Sequence, residues 1–532
     1  MMPHLPAAGS SWPPHDDALR YERMTRPEAW YSGDPARLGA AYGSGPAVET
    51  YAGTSYNPER AGMVKRVAAA IRNEFWQRST TEQVSTKRHM PVPEGIARAS
   101  ARLLFGEQVE VRVVDPQPGQ DGKPSPVAVA AQARLEELLE ACNLPALLLS
   151  SAELSSALGS VALRIAFDKA SMPLGPVLTW VHPRAVLPSY SWGQQTGVAF
   201  WSVVAQTQTV VVRHIELHAG GFIWHGLYSG TADKLGDRLP LDASPTTAHL
   251  APLCDDDGKL RAFDAGGPTA VSIPNMLPDP TDPQNRVGRS DFTPAVMDLF
   301  DAIDRTYSQM MEELEDGRSK LFIADHLLQR GLPGQGQTFD PNQRLYTQVK
   351  QPPGEDSNTL PIMQVQFAMR MESYLATIDA LTRKAFDAAG YTARTDAGQD
   401  GRDLTATEVR SNDSLSLGTR DTKALYWRPA LQQLLTTLLR IDVQEFAPVV
   451  GGQRVQALPV QVNFPDTLQP TLRELGETVE VLRRAQAVST LEAVRTVHPE
   501  WDDQRVREEV QAIQAAASVV DPVSFGTGGE GL

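Results

Sequence analysis

The sequence predicts an α+β chain that is mainly helical. Two segments, 292–316 and 365–390, carry apolar residues at spacings of three and four, which is the period of a helix packed along one side. Between 161 and 241 the pattern changes to short β-rich runs bounded by Gly and Pro, as in an antiparallel sheet. Helical periods return at residue 405. The chain therefore combines long helices with one region of strands.

Residues 1–58 are rich in Pro, Gly and aromatic side chains and predict an extended arm whose rings dock onto another surface. The next region, 59–289, begins with helical patterns over 96–105, 127–141 and 144–158. Its predicted strands are 161–167, 177–181, 198–205, 210–217 and 222–228, and 240–289 is predicted to be mostly loop. We therefore expect a domain of helices and mostly antiparallel strands.

The two long helical segments predict a hairpin, with a first helix over 290–316 and a second over 364–389. Ser290 or Asp291 could cap the first helix, and Gly390 ends the second. Asp298, Asp301 and Asp304 lie off the apolar stripe and predict an acidic opposite face. The residues expected to pack the hairpin are Val296, Leu299, Ile303, Tyr307, Met310, Leu314, Phe367, Met371 and Ile378.

The excursion over 317–363 is punctuated by Gly and Pro and predicts a small subdomain with a strand near 345–349. A polar loop over 390–404 leads into a helix that opens with the capping box of Thr405 and Glu408. Gly418 and Pro429 predict a kink or break in that helix, and a strand follows at 460–464. Three helices are expected within 466–517, opening at Thr471, Ser489 and Asp502, before a disordered tail over 518–532.

The composition limits the function. Lys and Arg number 49 against 64 Asp and Glu, a net charge of −15, which argues against a freestanding nucleic-acid binder. Cys142 and Cys254 show no metal or redox spacing and predict free thiols in a reducing compartment. No apolar run reaches membrane-spanning length, and the N-terminus lacks the pattern of a signal peptide. We expect a retained, cytoplasmic protein that does not span a membrane.

Motifs for catalysis are missing from the sequence: it has no P-loop, no G-x-S-x-G elbow and no H-E-x-x-H. His214, Glu216 and His218 alternate on a predicted strand and could ligate a metal with His225. The alternative is a half-solvated polar face of the sheet. We predict no catalytic residue, no cofactor and no metal.

Several segments, taken in order, resemble the portal proteins of long-tailed bacteriophages, in particular those of actinobacteria and related hosts. Their collinear order carries the resemblance, since no single motif is diagnostic. The segments are AWYSGDPARLGAAY (29–42), MPVPEGIARASARLLFGE (90–107), SSALGSVALRIAFD (155–168), IELHAGGFIWHGLYSG (215–230), GRSDFTPAVMDLFDAIDRTYSQMMEEL (288–314), LTATEVRS (404–411) and AVSTLEAVRTVHPEWDDQRVREEV (487–510).

The resemblance implies a portal fold and names its parts. The wing is 59–289, the stem helices are 290–316 and 364–389, the clip is 317–363, the tunnel loop is 390–404, the kinked wing helix and its strand are 405–465, and the helical crown is 466–517. Tyr391, Thr392, Arg394 and Arg402 fall in the tunnel loop. The two arginines are expected to touch DNA phosphates transiently.

By the same resemblance, the chain forms a ring of twelve copies at one capsid vertex of the virion, assembled in the host cytoplasm. The implied partners are further copies of itself, the large terminase, a head–tail adaptor, the major capsid and scaffolding proteins, and double-stranded DNA in the channel. The main alternative is another phage head protein, an adaptor or minor capsid protein. Short helical adaptors lack a long hairpin with an inserted clip. A hydrolase using His214 and Glu216 is a more distant alternative.

Overall fold

The computed structural model describes most of the chain. The described residues are 5–42, 87–117, 124–169, 172–260, 264–316, 320–324, 346–349, 362–365, 370–393, 406–464, 472–485, 487–498, 501 and 503–518. The chain forms two units, Met1–Pro465 and Asp466–Leu532, and this division coincides with the predicted start of the C-terminal helices.

The N-terminal region contains two helices, α1 (His15–Ser32) and α2 (Pro35–Ala41), so the prediction of an extended arm is wrong for these residues. Gly33 ends α1 with φ 63°, and the Asp34 side chain accepts a hydrogen bond from the Ala36 N–H at 2.9 Å to cap α2. The predicted docking of rings does occur, but within the chain. Trp30 is fully buried against other helices of the same unit.

Three helices follow close to their predicted positions: α3 (Val92–Phe105), α4 (Pro126–Ala141) and α5 (Leu144–Leu158). Strand β1 (Glu110–Val113) lies between α3 and α4. Gly159 ends α5 with φ 94°, and a side chain there would lie 2.8 Å from the Ser290 backbone nitrogen. This close approach places the segment before the long hairpin directly against the end of α5.

Two antiparallel sheets make up the β region, as predicted. The first has the order β3-β2-β9, with β2 (Ser160–Ala166), β3 (Val177–Val181) and β9 (Ala270–Pro274). The second has the order β4-β5-β6-β7-β8, with β4 (Val186–Ser191), β5 (Gln194–Gln206), β6 (Val211–Ala219), β7 (Phe222–Gly230) and β8 (Asp237–Leu239). Sequence patterns missed β4, which carries Pro188 at the sheet edge, the short β8, and β9, which lies in the region predicted to be loop.

The long hairpin consists of α6 (Pro294–Asp316) and α7 (Met371–Ala389). Both begin later than predicted. The Thr293 hydroxyl accepts from the Val296 N–H at 3.4 Å and caps α6, so the predicted cap at Ser290 or Asp291 is wrong. Val365, predicted to be helical, ends a strand instead.

The excursion between the two helices contains a three-stranded sheet. Its strands are β10 (Lys320–Ala324), β11 (Tyr346–Val349) and β12 (Ile362–Val365). The central β10 pairs in parallel with β11 and antiparallel with β12. The strand predicted near 345–349 is confirmed.

Helix α8 (Ala406–Glu445) runs for 40 residues without interruption, so the predicted break at Gly418 or Pro429 is wrong. Trp427, Ala430 and Leu434 are buried around Pro429 in the largest hydrophobic core of the unit. This packing outweighs the missing donor of the proline. A bend at Pro429 stays a prediction. Strands β13 (Val449–Val450), β14 (Gln453–Arg454) and β15 (Val460–Asn463) follow, and β15 pairs antiparallel with β1.

The C-terminal unit contains the three expected helices, α9 (Leu472–Arg484), α10 (Thr490–Val497) and α11 (Asp503–Ser518). The Ser489 hydroxyl accepts from the Glu492 N–H at 3.2 Å, which confirms that cap. Val494, Val506 and Val510 form the core of this unit. The tail predicted beyond 518 lies outside the described residues.

Among the helices of the described part of the chain, none combines the length and the apolarity that crossing a bilayer requires.

Candidate functional site

The α6–α7 hairpin is antiparallel and packs on the N-terminal helices. At one end the Arg370 guanidinium donates to Glu313, and at the other the Tyr391 hydroxyl donates to Asp291 at 2.9 Å. Phe300 on α6 lies with its ring centroid 5.5 Å from that of Trp30 on α1. The base of the hairpin is therefore embedded in a core shared with α1, α2, α3 and α5.

Most of the predicted packing residues contact this core. Val296, Ile303, Met310 and Ile378 are buried; Leu299, Tyr307, Leu314 and Met371 are partly buried; and Phe367 lies outside the described residues. The buried face also includes Phe300, which is 1% exposed and was missed because Leu299 beside it fits the same period. The apolar stripe of α6 is therefore wider than predicted on the side where Phe300 lies.

The predicted acidic face of α6 is wrong for two of its carboxylates, Asp301 and Asp304, which are buried. Asp304 accepts from the Met90 N–H at 2.9 Å and lies 2.8 Å from His89 Nδ1. One helical turn further on, the Ser308 hydroxyl accepts from the Arg88 N–H at 2.9 Å. These polar side chains bind residues 88–90 along α6. Asp304 therefore accepts a hydrogen bond from a backbone N–H and does not face solvent.

A buried polar cluster lies at the base of the hairpin, and we call it the Asp291 junction. Its members are Ser100, Ser156, Asn275, Asp291, Tyr391 and Lys423. One carboxylate oxygen of Asp291 accepts from Lys423 Nζ at 2.6 Å, from the Ser156 hydroxyl at 2.6 Å and from the Tyr391 hydroxyl at 2.9 Å. The other accepts from Asn275 Nδ2 at 2.8 Å.

The Asp291 junction is almost completely shielded from solvent. Lys423 and Tyr391 are each 1% exposed and Asp291 is 3% exposed. Burial lowers the pKa of Lys423, and the adjacent Asp291 carboxylate opposes that shift. Burial also raises the pKa of Tyr391 well above its usual value, so its hydroxyl stays protonated and acts as a donor. The cluster is a satisfied ion pair with neutral donors around it.

The junction connects the base of the hairpin, where α6 begins and α7 ends, to α8. Asp291 precedes α6, Tyr391 follows α7, and Lys423 lies on α8. Just beyond Tyr391, the Thr392 N–H donates to the Ser416 hydroxyl at 2.8 Å. The relative position of the two helices and the start of the following loop are thus set by side chains of α8.

This geometry corrects one predicted loop residue. Tyr391 is a core residue bonded to Asp291, so its side chain is unavailable to line a channel. Thr392 is partly exposed and its backbone is held by Ser416. Arg394 and Arg402 lie outside the described residues, and their proposed contact with DNA stays a prediction.

The sequence patterns indicated Asp291 only as a possible helix cap, and they did not predict the side chains that hydrogen-bond to it. One signal was present: Lys423 is spaced by four from Trp427 and by seven from Ala430, which places its side chain on the apolar side of α8. A lysine at such a position needs a buried anion. The identity of that anion depends on tertiary contacts across 132 residues.

The histidine face of β6 forms a second buried polar cluster. His218 Nε2 lies 2.7 Å from Glu216 Oε1, its Nδ1 lies 2.7 Å from the Thr269 hydroxyl, and Glu216 also pairs with Arg164. His214 Nε2 lies 3.2 Å from His225 Nδ1, and the two rings are stacked. Both His218 and His225 are buried, so the alternative of a half-solvated face is wrong for them. No group of three or more His, Cys, Asp or Glu within the described ranges is arranged to hold a metal ion.

This cluster predicts an acid sensitivity of folding. Burial lowers the pKa of His225 to about 4 from 6.5, so between these values the unfolded chain binds the proton that the folded chain excludes. Stability is therefore lost as the pH falls through this window, by about 2 kcal/mol between pH 7 and 5 from this group. His225→Gln should remove about that much of the pH-dependent change in the free energy of unfolding, measured by urea denaturation. Equal pH slopes in the variant and the wild type would contradict the assignment.

Residues 280–521 match the family model described as phage portal protein, SPP1 Gp6-like. The match includes the α6–α7 hairpin with its inserted sheet, α8 and the C-terminal helices. No curated protein sequence matches the chain.

Proposed function

We propose that this chain is a phage portal protein, which assembles as a ring at one vertex of a phage capsid and forms the conduit for double-stranded DNA. The family match over the helical hairpin and its inserted sheet is the observation that carries the proposal. In this assignment α6 and α7 are the stem helices, strands β10 to β12 belong to the clip, and the unit beginning at 466 is the crown.

The charge of the chain suits a conduit. Twelve chains at −15 each carry about −180, and a duplex inside such a ring meets repulsion from the wall. Repulsion prevents deep binding minima that would stall translocation. DNA would therefore pass during packaging and ejection with brief contacts only.

The same ring would dock other proteins. We assign a separate large terminase as the source of packaging energy and a head–tail adaptor as the partner after packaging, with the capsid and scaffolding proteins around the ring. The host cytoplasm is the proposed place of assembly, and the virion is the final location.

Position in the particle tests the proposal. Gold-labelled antibody against the chain should mark a single vertex of each disrupted head in electron micrographs. Label distributed over the whole head surface would instead favour a minor capsid protein, and label on the isolated tail end alone would favour an adaptor.

The two arginines of the loop after α7 provide a further prediction. Arg394→Ala combined with Arg402→Ala should lower DNA packaging or retention several-fold, because the proposed arginine contacts to phosphate are lost. A suitable control is Arg383→Ala, which removes an exposed arginine paired with Asp379 on α7. DNA content per particle, measured by nuclease protection, decides the outcome. Unchanged packaging and retention in the double variant would remove the loop arginines from the mechanism.

A further inference from the structure

A tryptophan stands fully exposed at the tip of the β4–β5 hairpin. Trp192 is 100% exposed, and with Gly193 it forms the two-residue turn between Ser191 and Gln194. Both turn residues have positive φ, 53° and 76°, as in a type I′ turn. The first position of that turn favours Asn, Asp or Gly, so a bulky side chain there is strained. An exposed aromatic ring held in a disfavoured conformation points to a binding role.

Two hydrogen bonds anchor the strand that follows the tip. The Thr196 hydroxyl donates to the Ser189 carbonyl across the hairpin at 3.2 Å. Gln195 Oε1 accepts from the Ser272 N–H of β9 at 3.0 Å, which ties the hairpin to the neighbouring sheet. The backbone beside Trp192 is therefore anchored, which limits the backbone entropy lost on binding.

The chain segment that carries Trp192 is uncharged. From Ala185 to Val212 the chain contains no Asp, Glu, Lys, Arg or His, and no other stretch of this sequence is as long without them. The chain as a whole carries −15, so two copies repel each other overall. A neutral hairpin is where a second copy can approach at the smallest electrostatic cost. The charge pattern therefore favours another copy of this chain as the partner.

The same chain carries a groove that suits an indole. It lies among the end of α3, strand β1, helix α4 and the start of α5, and it has a volume of 590 Å³. Phe105, Leu144 and Leu148 form its apolar floor, and Glu136 and Glu140 are exposed at its rim. An indole N–H is a hydrogen-bond donor only, and an ionised carboxylate at the rim is an acceptor only. A neutral aromatic ring with one donor fits this apolar floor and acidic rim.

We propose that Trp192 of one copy inserts into the groove between α4 and α5 of the next copy. The indole and the groove are different surfaces of one chain, so the contact is heterologous and repeats from copy to copy in one direction. Such a contact closes into a ring when its rotation permits. The inference rests on the proposed ring and names a contact that holds neighbouring copies together.

The first test compares ring assembly of full-length variants. Trp192→Asn places a favoured residue in the type I′ turn, so the fold should be retained while the exposed indole is lost. We expect at least a tenfold rise in the concentration needed for half of the chains to assemble. Leu174→Asn is the matched control, because it removes another exposed apolar side chain, 73% exposed, that lies outside the hairpin and the groove. This control should assemble like the wild type.

The second test locates the contact. In a chain with Cys142→Ser and Cys254→Ser, the pair Trp192→Cys and Glu140→Cys should give a ladder of covalent oligomers with a bismaleimide. The pair Leu174→Cys and Glu140→Cys should not. If Trp192→Asn assembles into rings as readily as the wild type, the proposed contact is overturned and the ring is not. The same conclusion follows if the cysteine at 192 stays accessible to solvent and unlinked in assembled rings. A wild-type chain that never assembles would overturn the ring and the contact together.

Discussion

Replacing Asp291 with alanine is expected to lower the free energy of unfolding by about 3–5 kcal/mol. The substitution removes the acceptor of four hydrogen bonds and leaves the Lys423 ammonium, 1% exposed, without its counterion. It also leaves Asn275 and Tyr391 with unsatisfied buried donors. Urea unfolding of the unassembled chain, followed by circular dichroism, measures the loss.

Lys423→Met provides the matched comparison for Asp291→Ala. The carboxylate of Asp291 keeps three neutral donors, from Ser156, Asn275 and Tyr391, when the ammonium is removed. We therefore expect Lys423→Met to be less destabilising than Asp291→Ala. The reverse order, or a loss under about 1 kcal/mol for Asp291→Ala, would show that the junction does not hold the hairpin base as described.

Trp30→Ala should cost a similar amount, about 3–5 kcal/mol. Trp30 is 0% exposed, its ring packs on Phe300 of α6, and its Nε1–H donates to the Tyr42 hydroxyl at 2.9 Å. Alanine leaves a cavity between the N-terminal helices and the hairpin and removes a partner of Tyr42. The urea midpoint of the unassembled chain again provides the measurement.

The control for Trp30→Ala lies on the same helix. Leu19 is 40% exposed, so Leu19→Ala should change stability by no more than about 0.5 kcal/mol. If Trp30→Ala and Leu19→Ala lowered the free energy of unfolding by equally small amounts, the N-terminal helices would not contribute to the core around α6. Such a result would restore the original prediction of an arm that docks only on another surface.

Local sequence patterns predicted those elements whose ends are marked by local chemistry. Helix α5 and strand β3 have the bounds expected from the sequence, because Asn143, Gly159 and the flanking prolines and glycines define them. The long hairpin was predicted from its apolar period, although both helices begin later. The Ser489 cap was identified from Ser489 and Glu492, which lie three positions apart.

The remaining features depend on contacts between distant segments. Strand β1 pairs with β15 some 350 residues away, and its own pattern is too short to identify it. Asp304 was assigned to solvent because residues 88–90, which bury it, are far away in sequence. The Asp291 junction gathers side chains from six separate places in the chain, and no local rule links them.

The N-terminal helices show a different limit. Aromatic and proline-rich composition correctly indicated rings that dock, but it did not indicate that the docking surface belongs to the same chain. Trp192 is the opposite case. Its ring is exposed where local turn chemistry would favour Asn or Gly, and such a departure from a local rule is expected at functional sites.

The most direct test of the account is the mass and symmetry of the purified full-length protein, from light scattering combined with negative-stain electron microscopy. We expect rings with a central hole and a mass of twelve times the 58.0 kDa chain. A compact monomer at every concentration, with and without the scaffolding protein, would contradict the ring and with it the proposed passage of DNA.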